Sequence, residues 1–436
     1  MPSPSSRPSS RPSSRPSPHS PLRVGLLGAG TVGAAVARAF LDDPERLAPF
    51  DGARLVLAGV AVRDPARAMA AGIPEALLTD APAHLVASPE VDVIVELIGG
   101  DEPARTLIAA ALAAGKPVVT ANKHVIAHHG PALEALARAT GTALRFEAAV
   151  AAGIPILGPL GADLAANRVA RLRGIVNGTT NFILSAMTDR KRAYEAVLID
   201  AQRAGYAEAD PSGDVEGDDA LNKLVILARL AFGQWLSPAS IERRPATANG
   251  LGRPGITGVT AAEVAAAAIH GLRLKLLVAA RPVGEGSGQQ TEATVQPVAV
   301  AAESGFGRTG GATNRLELEA SPVGRLDLSG PGAGGGPTSS AVLGDLIAIA
   351  RGGGSTWAGL APASERSTDA MRPDDSLARR WFFHSVLPDQ LIRDQLDLEA
   401  AAGDGFVTTA QSLDELRGGL AALGIDATLY PIEDAA

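Results

Sequence analysis

The chain has 436 residues, 46% hydrophobic and 20% charged, which suits a soluble globular protein of two or three domains with a large core. Its net charge of -8 argues against nucleic-acid and anionic-membrane partners, which call for a basic face, and no apolar run is long and unbroken enough to span a bilayer. It has no cysteine, which excludes disulfides, thiolate metal sites and thiol nucleophiles together.

Residues 1–21 repeat Ser-Ser-Arg-Pro in a Pro/Ser/Arg text that cannot bury a core, so a disordered tail is expected. Its prolines forbid the amphipathic helix of a transit peptide, and the expected compartment is the cytoplasm. Residues 22–27 read as a buried strand running into Gly28-Ala29-Gly30-Thr31-Val32-Gly33 and then a helix. In this G-x-G-x-x-G pattern the first glycine permits a tight turn and the second lets backbone approach a pyrophosphate. The third lets helix and strand pack closely, and the amides at Thr31 and Val32 open the helix toward the phosphates.

Further strands are expected at 54–62, 91–98, 117–120 and 143–150 with Ala-rich helices between them, which makes residues 22–150 a doubly wound parallel sheet. The second strand ends in Val62-Arg63-Asp64. An acid there holds a ribose 2′-hydroxyl and an arginine accommodates a 2′-phosphate; Arg63 comes first, favouring NADP(H), while Asp64 leaves NAD(H) open. The fourth strand runs into Thr120-Ala121-Asn122-Lys123, which puts Lys123 in the crevice beyond the carboxyl ends of the strands. His124, His128 and His129 have ligand-like spacing but no matching carboxylate or third donor close by in the sequence, and no metal is assigned to them.

A second domain is expected over 151–330, with strands at 169–176, 273–280 and 316–320 and a helix at 222–232. Ahead of that helix, residues 205–223 crowd six carboxylates (Glu208, Asp210, Asp214, Glu216, Asp218 and Asp219) around Lys223. Asp219 and Lys223, four apart, share one helix face. A surface ion pair is the plain alternative. The helix continues as Leu224-Val225-Ile226-Leu227-Ala228, so we read an acid/base pair at the floor of a polar pocket. Residues 338–350 read as a helix and 352–375 as a linker. Residues 376–436 read as a small α/β module: strands at 381–386, 406–409 and 425–430, a helix at 391–398, and a second helix capped by Ser412 and Glu415.

Six blocks in order carry a resemblance: the glycine turn, Thr120 to Lys123, residues 147–156 (EAAVAAGIPI), 174–184 (GIVNGTTNFIL), the acidic segment, and 330–338 (GPGAGGGPT). Across residues 22 to about 351 the chain resembles the homoserine dehydrogenase family. The resemblance implies an N-terminal Rossmann sheet to which the helix at 338–351 returns, an α+β substrate-binding and dimerisation domain, and a divergent ACT-like module at the C-terminus. It implies NAD(P)-dependent interconversion of L-homoserine and L-aspartate 4-semialdehyde, in the threonine and methionine branch of amino-acid biosynthesis, by a homodimer acting on a small amino-acid substrate.

By position, Lys223 would be the acid/base with Asp219 beside it; Glu208 would bind the substrate ammonium, and Asp214, Thr179 and Lys123 would complete the pocket. The backbone of Gly178 and Thr179 would supply donors for the substrate carboxylate. The family's monovalent cation site (Na+ or K+) maps onto the Glu147 side chain and the carbonyls of Val150, Ala152 and Ile154. The family usually has glycine at Ala152, and alanine there is strained if the backbone needs a positive φ. In the last segment the expected Asp-x-Pro-Gly turn appears only as Leu387-Pro388-Asp389, so threonine binding there is expected to be weak or absent. Independently, oxidising a carbinol needs a base for the hydroxyl proton, which a lysine with a tuned pKa can provide. Two other readings are a Rossmann oxidoreductase of a different amino alcohol and a catalytically silent nucleotide sensor. The ordered blocks disfavour the first, and intact Lys223, Asp219 and Glu208 disfavour the second.

Overall fold

The computed structural model describes residues 21–47, 54–244 and 253–433, so the expected disordered tail lies outside the described residues except for Pro21. Six parallel strands make the first sheet: β1 (Leu22–Leu27), β2 (Leu55–Ala61), β3 (Leu78–Thr79), β4 (Val93–Glu96), β5 (Val118–Thr120) and β6 (Leu144–Arg145). Their order is β3-β2-β1-β4-β5-β6, which reverses direction between β1 and β4 and opens a crevice there. The apolar runs of β1, β4 and β5 are buried on both faces, as helices covering a parallel sheet require.

The two-residue β3 was too short for its pattern to register. The strand expected at 143–150 shrinks to Leu144–Arg145 and turns into the short 3-10 segment Glu147–Ala149. Asp345 causes that turn by accepting from the Glu147 amide at 2.8 Å and from Arg145 Nε at 2.7 Å. Asp345 lies on helix Gly335–Ala350, which packs beside the first sheet. There it meets helix Thr31–Asp42 so closely that a Cβ on Gly335 would lie 3.0 Å from the Thr31 carbonyl oxygen.

The second sheet is mixed and ten-stranded: β7 (Arg168–Ile175), β8 (Glu242–Arg243), β9 (Leu272–Val283), β10 (Gln290–Ala301), β11 (Thr313–Ser321), β12 (Gly324–Pro331), β13 (Trp381–His384), β14 (Leu398–Ala402), β15 (Gly405–Thr408) and β16 (Leu429–Glu433). β10, absent from the sequence reading, forms a long antiparallel hairpin with β9. Its Pro297 argues against a strand, but it falls between the short partners β8 and β16, where that side of β10 carries no ladder to break. β12 pairs with β11 alone and forms the exposed edge.

The carboxy-terminal segment runs strand, helix, strand, strand, helix, strand, with strand order β16-β13-β15-β14. It joins the rest edge to edge, through Ala299 with Ile432 and Val300 with Glu433. The helix expected at 391–398 is Asp389–Arg393, and Leu398 instead opens β14. Leu396 anchors that early turn by packing on Gly419, where a Cβ would come within 2.3 Å of it. The second helix is capped by Ser412 and Glu415 as expected. Residues 352–375 lie along the other elements: Trp357 is 1% exposed, and Thr368 and Met371 bridge to Leu236 and Glu292. Among the described residues no helix is long and apolar enough to cross a membrane.

Candidate active site

The glycine turn follows from two close approaches. Gly28 has φ +96° and a Cβ there would lie 2.7 Å from the Leu97 carbonyl oxygen; a Cβ on Gly33 would lie 2.1 Å from that of Gly28. Gly30 faces open space, leaving room for a phosphate over the amides of Thr31 and Val32, which open the helix. A cleft of about 400 Å³ adjoins the turn, lined at one end by Arg63, Asp64 and Arg67 and at the other by Leu97, Ile98 and Gly99. The Asp64 carboxylate accepts from the Arg67 amide at 3.0 Å and caps the helix Pro65–Ala70. Arg63 and Arg67 are both exposed toward the cleft. Arg67 was missed in the sequence: Arg63 precedes the Asp64 cap and Arg67 lies inside helix Pro65–Ala70, so no regular spacing links the two.

Next to the Leu97–Gly99 stretch that lines the cleft, Asn122 ties β5 to Gly100. Its side chain donates to the Gly100 carbonyl at 2.8 Å and accepts from the Val125 amide at 3.1 Å, capping helix Lys123–Thr140. Lys123 therefore projects from the first turn beyond β5. Its Nζ lies 3.0 Å from Asp219 Oδ1, while Lys223 Nζ lies 2.7 Å from Asp219 Oδ2 and donates to the Val176 carbonyl at 2.7 Å. One carboxylate is thus shared by two lysines from different parts of the chain. Asp219 and Lys223 sit on helix Asp218–Phe232, as the spacing implied.

Asn177 completes the cluster by donating to Asp214 Oδ1 at 2.7 Å and to Asp219 Oδ2 at 2.8 Å. It also caps helix Gly178–Arg190 by accepting from the Thr180 amide. The Thr179 hydroxyl lies 3.1 Å from Asp214 Oδ2 and donates to the Tyr206 carbonyl at 2.6 Å. Asn177 was missed, although an asparagine just before a helix start is a readable cap. Asn314, which donates to the Val176 carbonyl at 3.1 Å from β11, carried no local signal. Glu208 stands apart: its side chain is exposed and touches none of these groups, reaching Lys123 only through its charge.

The electrostatics separate the two lysines. Burial pushes Lys223 below the ordinary lysine value; Asp219 opposes that shift and the Lys123 cation adds to it. The more exposed Lys123 is raised, chiefly by Asp219. Burial would raise Asp219, but the two ammonium groups and their hydrogen bonds outweigh it and hold the carboxyl well below its usual range. Asp214 is raised by burial and by the Asp219 charge beside it. The cluster therefore sets its two lysines apart, burial lowering Lys223 while Asp219 raises Lys123.

At the expected cation position, Ala151 and Ala152 have φ +54° and +53°, the strained left-handed conformation. Glu147 uses its carboxylate on the backbone of residues 156–158, accepting from Ile156 at 2.7 Å, Leu157 at 2.9 Å and Gly158 at 2.6 Å. Val150, Ala152 and Ile154 are 0%, 5% and 3% exposed, and among the described residues no protein donor reaches their carbonyls. Of the three histidines, His129 meets Asp101 at 2.7 Å, a carboxylate distant in sequence, and His124 and His128 stack at 4.3 Å; no cluster of three His, Cys, Asp or Glu side chains that could hold a metal occurs among the described residues.

The family model described as homoserine dehydrogenase matches residues 155–347, and that of its NAD-binding domain matches residues 28–147. A homoserine dehydrogenase of Mycobacterium tuberculosis is 44% identical over 332 residues, 76% of this chain and 73% of that protein. The crystal structure of a homoserine dehydrogenase from Thiobacillus denitrificans superposes with a TM-score of 0.82 at 33% identity, covering 95% of this chain and 99% of that one. A hyperthermophilic archaeal homoserine dehydrogenase in complex with NADPH gives a TM-score of 0.61 at 26% identity, covering 76% and 97%.

Proposed function

The chain belongs to the homoserine dehydrogenase family, and from that membership we propose how its residues interconvert L-homoserine and L-aspartate 4-semialdehyde. A bound nicotinamide cofactor supplies the hydride acceptor or donor. Lys223 takes the hydroxyl proton as the alcohol is oxidised and returns it when the aldehyde is reduced, because its depressed pKa makes the neutral amine accessible. Asp219 orients Lys223, and Lys123, held charged on the other carboxylate oxygen, stabilises the oxygen as it loses its proton. Asp214 and Glu208 face the substrate ammonium, Glu208 from the rim, and the first amides of helix Gly178–Arg190 receive its carboxylate. The observation that carries this reading is the largely buried Asp219 carboxylate of the acidic segment bridging two lysines of opposite pKa shift, one of them from the helix that follows β5.

For the cofactor we favour NADP(H), because Asp64 is occupied as a helix cap while Arg63 and Arg67 face the cleft; NADPH is also the partner named for the archaeal neighbour. The undonated carbonyls of Val150, Ala152 and Ile154, with the remaining capacity of Glu147, fit a monovalent cation that would neutralise them and pin the turn. We place the protein in the cytoplasm as a homodimer joined through the second sheet, whose exposed edge β12 supports the pairing. The test is nicotinamide absorbance with L-homoserine and NADP+. The parent should turn over, and Lys223→Ala should lose about 10² to 10⁴ in kcat while its NADPH affinity, read by fluorescence, stays unchanged. A Lys223→Ala variant with parental kcat would remove Lys223 from this role.

A further inference from the structure

The two lysines sit on two helices that pack side by side, and a second charged pair joins those helices away from the pocket. Glu134 lies about three turns after Lys123 on helix Lys123–Thr140 and leaves on the same face; Arg229 lies nearly two turns beyond Lys223 on helix Asp218–Phe232. Arg229 meets the Glu134 carboxylate with two donors, Nε to Oε2 at 2.9 Å and NH2 to Oε1 at 2.7 Å. The side chains are 1% and 3% exposed. The remaining valences are also used. Arg229 donates to the carbonyls of Gly233 and Ala361, and Glu134 accepts from Trp235 Nε1 at 2.8 Å and from Arg138. Trp235 in turn lies on Gly130, where a Cβ would come within 2.6 Å of its ring.

A buried pair of this kind is poor evidence for stability, since apolar residues of similar volume often do as well. What it adds is direction: a two-point guanidinium–carboxylate bond tolerates little sliding or rotation of one helix on the other. The pair links the helix that follows β5 of the nucleotide sheet to the helix that follows the acidic segment. Among the described residues, the contacts of Lys123 and Lys223 with Asp219 are the charged contacts between or within the same two helices at their pocket end.

We propose that Glu134 and Arg229 are positioning residues that set the register of the two helices, and through it the placement of Lys123 against Asp219 and Lys223. This rests on the reading of Lys223 as the acid/base. If the register slips, Lys123 draws away from Asp219 and Lys223 loses the cation that lowers its pKa, so activity and its pH dependence change together.

The test is the double variant Glu134→Leu with Arg229→Met, which fills the same space and leaves neither partner of the pair as an unpaired charge. It should unfold cooperatively and bind NADPH as the parent does. Its kcat for homoserine oxidation should fall about ten- to a hundredfold, the effect of a misplacement near 1 Å, and the rising limb of its pH profile should move toward higher pH. A folded variant with parental kcat and limb overturns the proposal, and so does a lower kcat with an unmoved limb, which marks general loosening. Should the double variant not fold, Arg229→Lys makes the same decision, because it keeps the charge and replaces the two-point contact with one. The Lys223→Ala variant separates the two readings: if it keeps parental turnover the acid/base assignment fails, whereas if it is inactive while the double variant is parental, only the positioning role fails.

Discussion

Replacing Lys123 with methionine should raise the pH at which homoserine oxidation becomes fast. The two ammonium groups contact opposite oxygens of Asp219 at 3.0 and 2.7 Å, and a separation of roughly 5 Å is taken for the charges. At that separation their repulsion is about 3 kcal/mol at an effective dielectric of about 20 and under about 1 kcal/mol in bulk water. Because the Lys123 side chain is 42% exposed, screening keeps the value toward the lower end, about 1.4 kcal/mol or about one pH unit. The sign follows from the charges. The Lys123 cation disfavours a second cation at Lys223, so removing it raises the Lys223 pKa toward the ordinary lysine value. Oxidation needs the neutral amine, so the rising limb of kcat should move up by about one unit, and the falling limb of aldehyde reduction should move with it. The assay is kcat at saturating substrate and cofactor across pH, followed by nicotinamide absorbance; the position of the limb is readable even if Lys123→Met also lowers the plateau. A limb that stays in place or moves down would refute the electrostatic coupling and the assignment of the titrating group to Lys223.

Arg63→Ala should weaken NADPH about ten- to a hundredfold, the loss of a hydrogen bond to a charged group, and leave NADH nearly untouched; equal losses for both cofactors would show that Arg63 does not reach a 2′-phosphate. Ala152→Gly should stabilise the fold by about 1 kcal/mol in urea unfolding, because alanine at φ +53° carries a left-handed strain that glycine does not; a destabilised variant would show that the methyl group's packing outweighs it. Threonine should leave homoserine oxidation unchanged in the full chain, because the turn after β13 presents Pro388 and an Asp389 already paired with Arg393 at 2.9 Å. Inhibition that disappears in a chain ending at Pro373 would restore a regulatory role for the carboxy-terminal module. An earlier cut, such as one at Gly354, would remove buried Trp357 and the Ala361 carbonyl that Arg229 uses, and would damage the site itself.

What could be read in the sequence depended on how far apart the cooperating residues lie. The glycine turn, the Ser412 cap and the Asp219–Lys223 pair each fit within one turn or one helix, so spacing alone exposed them. The parallel sheet was readable because strands buried on both faces are nearly unbroken apolar runs. β10 was not, because Pro297 speaks against a strand until its neighbours β8 and β16 are known to leave that position unpaired. Residues 352–375 read as a tether from their glycine and polar content, whereas Trp357 is held in the core against Phe146 at 5.2 Å.

The site divides along the same line. The sequence places Lys223 beside Asp219, but it does not show that Lys123 occupies the other oxygen of that carboxylate. That second contact makes the lysine pair chemically unequal: burial and the Lys123 cation lower Lys223, while Asp219 raises the more exposed Lys123. A helix can supply an acid four residues from a base by itself, yet the second cation must come from the far side of the cofactor crevice. On the proposed reading of Lys223, proton transfer depends on two parts of the chain holding a fixed register, and Glu134 and Arg229, distant from Asp219, would belong to what sets the lysine's pKa.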